Sequence, residues 1–208
     1  MEREPGAVTR PLLIDRASIL AAGAYIANHQ GLGAVSMRAV ARDLGVTPMA
    51  LYRHVADKTA LFEGLVDVVY EDVPAPPRDL PWRERIRWIG EAVRGAVQRN
   101  PGIAPLLLGR SPDAHSARPL RDWIQRDLRA AGISRLEAPR VERVITTALL
   151  GCAAREAAGL GQPHLRDEAD LEFSATLRMI DLLIDDAAPG RWNRVPPTRR
   201  ELRTGSTA

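Results

Sequence analysis

The chain is predicted to be all-α, on three observations. Ala, Leu, Arg and Glu dominate its 208 residues, β-branched runs are short, and no alternation of apolar and polar residues extends far enough to make a strand. Apolar residues recur instead at three- and four-residue spacing between helix-capping residues. One stretch, Val73 to Pro81, breaks this period with four prolines. It reads as a linker between an N-terminal region, residues 1–72, and a C-terminal helical region, residues 82–188.

The first helix starts behind Asp15, a good N-cap, with Ile14 and Ile19 spaced as a hydrophobic staple. Ile19, Ala22 and Ile26 share its inner face, and Gly31 ends it by taking the left-handed conformation. Residues 1–13 form an arm ahead of it. Ser36 caps a second helix, Met37 to Leu44, which Gly45 stops. Thr47 is the next N-cap and Pro48 takes the first helical position, where a missing amide hydrogen costs nothing. That third helix runs from Pro48 to Val55. Asp57 caps a fourth, from Lys58 to about Tyr70, with Leu61, Leu65, Val68 and Val69 inward.

Beyond the prolines, Trp82 to Gln98 is amphipathic, with Ile86, Ile89 and Val93 on one side. Ile103 to Leu108 makes a helical turn or two, and Ser116 to Ala131 buries Leu120, Trp123, Ile124 and Leu128. Two longer helices follow, Ala138 to Gly159 and Glu168 to Ala187. Residues 189–208 hold five arginines, one acid and three prolines, and read as a disordered basic tail.

Composition excludes several classes. Hydrophobic residues make up 45% and charged residues 26%, which fits a packed globular chain rather than a disordered or fibrous one. The single cysteine, Cys152, rules out an intramolecular disulfide and a multi-thiolate zinc site, and no cofactor or metal is expected. The apolar stretch between Arg143 and Arg155 is too short to span a bilayer, and Glu2 and Glu4 are unlike a secretory signal. A cytoplasmic protein that does not engage membranes is therefore expected. The net charge of +3 resides in the tail, since residues 1–70 carry seven basic and seven acidic side chains. An argument for nucleic acid must therefore rest on where individual cations sit. No phosphate-binding glycine loop or catalytic constellation is visible, so an enzyme is not expected; Asp113 and His115 on a proline-flanked loop come nearest.

Two helices joined by the tight turn Gly45 to Thr47 make a helix-turn-helix, whose second helix enters the major groove of DNA. Val40, Leu44, Val46, Leu51 and Val55 must pack inward to hold the pair. Pro48, Met49, Tyr52 and Arg53 are left outside on a very short helix, where exposed Met and Tyr together call for a partner surface. Ser36, Arg38, His54 and Lys58 surround them at helix ends, as a phosphate backbone requires.

The run from Ser36 to Leu65, SMRAVARDLGVTPMALYRHVADKTALFEGL, resembles the DNA-binding domain of the TetR family of bacterial transcriptional repressors. The specific part is Leu44 to Val46, Leu51 to Val55 and Lys58, and the likeness covers about residues 12–70. It implies an N-terminal three-helix helix-turn-helix DNA-binding domain followed by a C-terminal helical ligand-binding and dimerisation domain. It also implies that Arg38, Pro48, Met49 and Tyr52 approach base edges, while Ser36, Thr47, Arg53, His54 and Lys58 hold phosphates. Of the four base-edge residues only Arg38 can grip guanine with two hydrogen bonds, whereas Pro48 and Met49 can at best pack on thymine methyls. Both stand where several relatives place a polar reader, which shifts specificity toward apolar contact and DNA shape.

One such module makes few contacts, so a homodimer reading two half-sites of a palindromic operator, spaced about 34 to 36 Å or multiples of that, is expected. Its surface is assigned to the last two helices, through Val144, Ala148, Gly151 and Cys152 on one and Phe173, Leu177, Ile180 and Ile184 on the other. The competing reading makes either stripe monomer core. The resemblance further implies a small-molecule effector that releases the repressor from its operator. An apolar pocket is sought around Trp88, Leu106, Leu107, His115, Trp123 and Met179. The alternative is a helical regulator that binds small molecules or proteins and whose DNA module is weak or vestigial.

Overall fold

The computed structural model describes residues 14–108, 115–159 and 166–187. The expected arm and basic tail lie outside the described residues. Among those residues are nine α-helices, two short 3-10 turns and no strand. The chain divides between Leu65 and Val66 into two compact units.

In the first unit, α1 (Arg16–Gln30) begins with a reciprocal cap. The Ser18 amide donates to Asp15 Oδ1 at 2.8 Å, and the Asp15 amide donates to Ser18 Oγ at 3.1 Å, so two otherwise orphaned donors are satisfied at once. Gly31 ends the helix at φ 83° and ψ 158°. This is the extended mirror region, open essentially to glycine alone, rather than the left-handed helical cap expected from the sequence. A 3-10 turn, Leu32–Ala34, follows.

Helix α2 (Met37–Asp43) is capped by Ser36, whose Oγ accepts the Ala39 amide at 3.1 Å. It stops at Gly45, which has φ 67°. There the Val46 amide reaches the Ala41 carbonyl at 2.9 Å and the Gly45 amide reaches Arg42 at 3.2 Å, the paired bonds of a Schellman ending. Helix α3 (Pro48–Leu51) is a single turn, shorter than the expected Pro48–Val55. The amides of His54 and Val55 both bond to the Leu51 carbonyl at 2.9 Å, so the chain turns through residues 52–54 instead of extending the helix. Asp57 caps α4 (Lys58–Glu71) through the Ala60 amide at 2.8 Å. Ile19, Ile26, Val35, Val40, Leu51, Val55, Leu61 and Leu65 form the buried centre. Leu44 and Val46, expected among them, are only half-buried.

The second unit starts within α4, whose Val66, Val69 and Tyr70 are buried. The proline-rich segment is packed rather than free: Val73 and Pro76 are buried. Arginines from α5 (Trp82–Arg99) hold its two ends. Arg99 Nε donates to Asp72 Oδ2 at 2.7 Å, and the Arg85 guanidinium donates to the Leu80 carbonyl. Arg85 is neutralised by Asp127 of α7 (Arg118–Ala130), with Nε to Oδ1 at 2.9 Å. Asp127 is fully buried, and its second oxygen has no hydrogen-bond partner among the described residues.

Helices α6 (Ala104–Leu108), α8 (Ala138–Gly159) and α9 (Arg166–Ala187) complete the unit. Helix α8 is the central element and packs on α5, α6, α7 and α9. Its Val141, Ile145, Leu149 and Ala153 meet a core that includes Ile86, Ile89 and Val93 of α5 and Leu120, Ile124 and Leu128 of α7. Arg94 joins α5 to the last pair: it bonds to Glu156 at 2.7 Å and to Asp170, and stacks 4.7 Å from the Phe173 ring centre. The Glu156 bond raises the Arg94 pKa further above its ordinary value, so the group stays charged.

Candidate nucleic-acid interface

The side chains named for DNA are at or near the surface of the first unit. Met49 is 73% exposed and Tyr52 47%. Arg38, Thr47, Arg53, His54 and Lys58 are exposed, and Ser36 and Pro48 are half-buried. Local geometry accounts for this: with Leu51 buried as the anchor of α3, residues two before and one after it must point elsewhere. The Ser36 hydroxyl already accepts from Ala39, which leaves its hydrogen free to donate. Thr47 stands at the N-cap of α3 in extended conformation, but its side chain makes no capping bond.

Two features of the surface were not anticipated. Lys58 Nζ lies 5.0 Å from the Phe62 ring centre, a cation–π contact at i, i+4 spacing that steadies the ammonium. The Asp15 carboxyl is held below its ordinary pKa, chiefly by the Ser18 amide and hydroxyl and to a small degree by the charge of His54. The i, i+4 spacing of Lys58 and Phe62 was there to be read; the charge coupling of Asp15 to His54, 39 positions apart, left no local signal. On α1, Tyr25 and His29 stack with ring centres 4.1 Å apart, and Tyr25 is 53% exposed.

The residues proposed for dimerisation separate into two sets. Val144 and Ala148 are exposed and Gly151 and Cys152 half-buried, and the last three of these line a shallow groove shared by α8 and α9. Phe173, Ile180 and Ile184 are 1%, 3% and 1% exposed, which places them in the core of their own chain and corrects the assignment to a dimer face. Leu177 also turns inward, since a Cβ added at Gly90 of α5 would stand 2.9 Å from its Cδ2. The outward apolar residues of α9 are Leu171, Met179 and Leu182, each 69% exposed. Met179, assigned to the pocket, is therefore a surface residue beside Ala148 and Cys152. Of the other pocket residues, Leu107 is buried and Trp88, Leu106 and Trp123 are half-buried. His115 opens a 3-10 turn, and its side chain lies outside the described residues.

Residues 19–65 match the family model described as bacterial regulatory proteins, tetR family. The nucleoid occlusion factor SlmA of Vibrio cholerae is 30% identical over 102 residues, covering 47% of this chain and 52% of that protein. The HTH-type transcriptional repressor DrrR1 of Streptomyces coeruleorubidus is 33% identical over 104 residues, covering 49% and 38%. The chain thus spans about half, or less, of the length of these curated relatives. Likeness to solved structures runs further. The crystal structure of Mycobacterium smegmatis BioQ has 28% identity and a TM-score of 0.70 over 84% of this chain and 98% of that one. BioQ with its natural double-stranded DNA operator has 26% identity and a TM-score of 0.64 over 79% and 99%. Residues 19–65 thus carry a domain of the tetR-family type, and the all-helical architecture along the chain is similar to that of these solved structures.

Proposed function

We propose that this protein is a DNA-binding transcriptional regulator, a repressor that grips a palindromic operator as a homodimer and leaves it when a small molecule binds. The observation that carries the reading is α3 with Met49 and Tyr52 turned outward and exposed cations on either side. Arg38 and Tyr52 address base edges, while Ser36, Thr47, Arg53, His54 and Lys58 fix the register on phosphates. The dimer forms along α8 and α9, through Val144, Ala148, Gly151 and Cys152 opposite Leu171, Met179 and Leu182. Small residues on α8 allow the close approach. The effector enters among α5, α6 and α7 near Trp88, Leu106, Leu107 and Trp123. It lowers operator affinity only by the difference in its affinity for the two arrangements of the protein.

The test is fluorescence binding to the region upstream of the protein's own gene, compared with random duplex. Tyr52→Ala is expected to weaken sequence-specific binding by about 1 to 3 kcal/mol. Lys58→Ala is expected to weaken binding to every sequence alike and to flatten the salt dependence by about one phosphate contact. If both variants bind as the parent does, the assigned face is wrong.

The likeness to a nucleoid occlusion factor favours a second reading, in which the DNA-bound protein acts on something other than transcription. Transcript levels of genes flanking bound sites, in a deletion strain, separate the two. A change supports regulation, and no change at any site supports the second reading.

A further inference from the structure

The outward part of α3 is poor in hydrogen-bonding groups. From residue 48 to 51 it presents a proline with no amide hydrogen, a thioether, a half-buried alanine and the buried Leu51. No side chain in that turn can read a base edge by a pair of hydrogen bonds. Yet Met49 stands 73% exposed, and among the described residues of this unit the other large apolar side chains, the tyrosines Tyr25 and Tyr52 aside, are buried or half-buried. Arg38, Arg53 and Lys58 are exposed on the same unit, and on the DNA-binding reading the surface the turn meets is a polyanion. Within the major groove, one base edge offers an apolar group, the 5-methyl of thymine.

Resting on the reading that this unit binds duplex DNA, we infer that Met49, seated beside Pro48, is a specificity-determining residue that recognises a pyrimidine by its 5-methyl group. The thioether is unbranched and polarisable, and adapts to a methyl without a fixed donor geometry. The group sensed is the methyl and not the base. Thymine is therefore preferred to uracil at that position, and 5-methylcytosine to cytosine, since both methyls occupy the same place in the groove.

The experiment starts from the duplex most enriched by the full-length protein from a random pool. Each thymine of the half-site is replaced in turn by deoxyuridine, and affinity is measured by fluorescence anisotropy. At one position, deletion of the methyl is expected to weaken binding about four-fold, and about fifteen-fold when both half-sites are changed. Met49→Ala should bind the thymine and deoxyuridine duplexes equally, whereas Met49→Leu should keep most of the difference. With cytosine at that position, 5-methylation should strengthen binding by the wild-type protein about four-fold. Enrichment of a duplex that then tolerates deoxyuridine everywhere overturns this inference alone. Persistence of the full deoxyuridine effect in Met49→Ala overturns the assignment to Met49. Failure to enrich any duplex overturns the DNA-binding reading and this inference with it.

Discussion

Tyr70 shows how a single buried group ties this protein to pH. Burial pushes its phenol above the ordinary value of 10.0, with Glu142 adding to the shift and Arg121 opposing it. The folded chain therefore holds the proton after the unfolded chain has released it. The stabilisation is complete below pH 10 and is lost as pH rises from there through the folded value. In urea titrations at pH 8 and pH 11, the wild-type protein should lose more stability over that interval than Tyr70→Phe, which has nothing to ionise. The sequence made some residue-level features plain and hid others. Asp15, Ser36 and Asp57 were legible as caps because a cap is decided within three residues. The reciprocal Ser18 bond, equally local, completes a box that normally carries Glu or Gln in that place. Asp127 and Glu142 gave no sign of being buried, because burial of a charge depends on helices far away in the chain.

At the scale of elements, the helix-turn-helix was legible because each of its parts has local chemistry: Ser36 to start α2, Gly45 to stop it, Pro48 to open α3. Gly45 has φ 67°, where an alanine side chain would crowd its own backbone, and no neighbouring atom competes for the space. Gly45→Ala should thus cost about 1 kcal/mol from backbone strain alone. It should appear as a lower urea midpoint, with an unchanged slope, in the full-length protein. The faces of α9 were misjudged for a physical reason. This helix carries two apolar stripes at helical spacing, one through Phe173, Leu177, Ile180 and Ile184 and the other through Leu171, Ala175, Met179 and Leu182. Periodicity shows that a stripe is buried against something and is silent on whether the cover is the same chain. Gly90 decides it, by admitting Leu177 to the surface of α5. The packing of segment 73–81 left no local signal. Four prolines announce an extended chain, but not that Arg85 and Arg99 would fasten it down.

For the whole molecule, the proposed dimer rests on the outward stripe of α9. Met179→Glu replaces a side chain that is 69% exposed and should leave the fold of a single chain intact, within about 0.5 kcal/mol. Light scattering after size exclusion is expected to show monomers, and operator affinity should fall toward that of one half-site. Phe173→Ala, by contrast, empties a core position and should destabilise the chain by about 3 to 5 kcal/mol. Equal behaviour of the two variants would mean that α9 has been assigned the wrong way round. Among the described residues, no helix is long and apolar enough to cross a membrane.

Composition sets the break between regions at the prolines, but the compact units part inside α4, between Leu65 and Val66. Anyone wishing to express the N-terminal module alone would naturally cut at residue 72. That fragment would part the buried Val66, Val69 and Tyr70 from the rest of the compact unit they belong to, and would strand Asp72 without Arg99. Its sticky end would make it precipitate, and a failure to bind DNA would then be blamed on the wrong half of the protein.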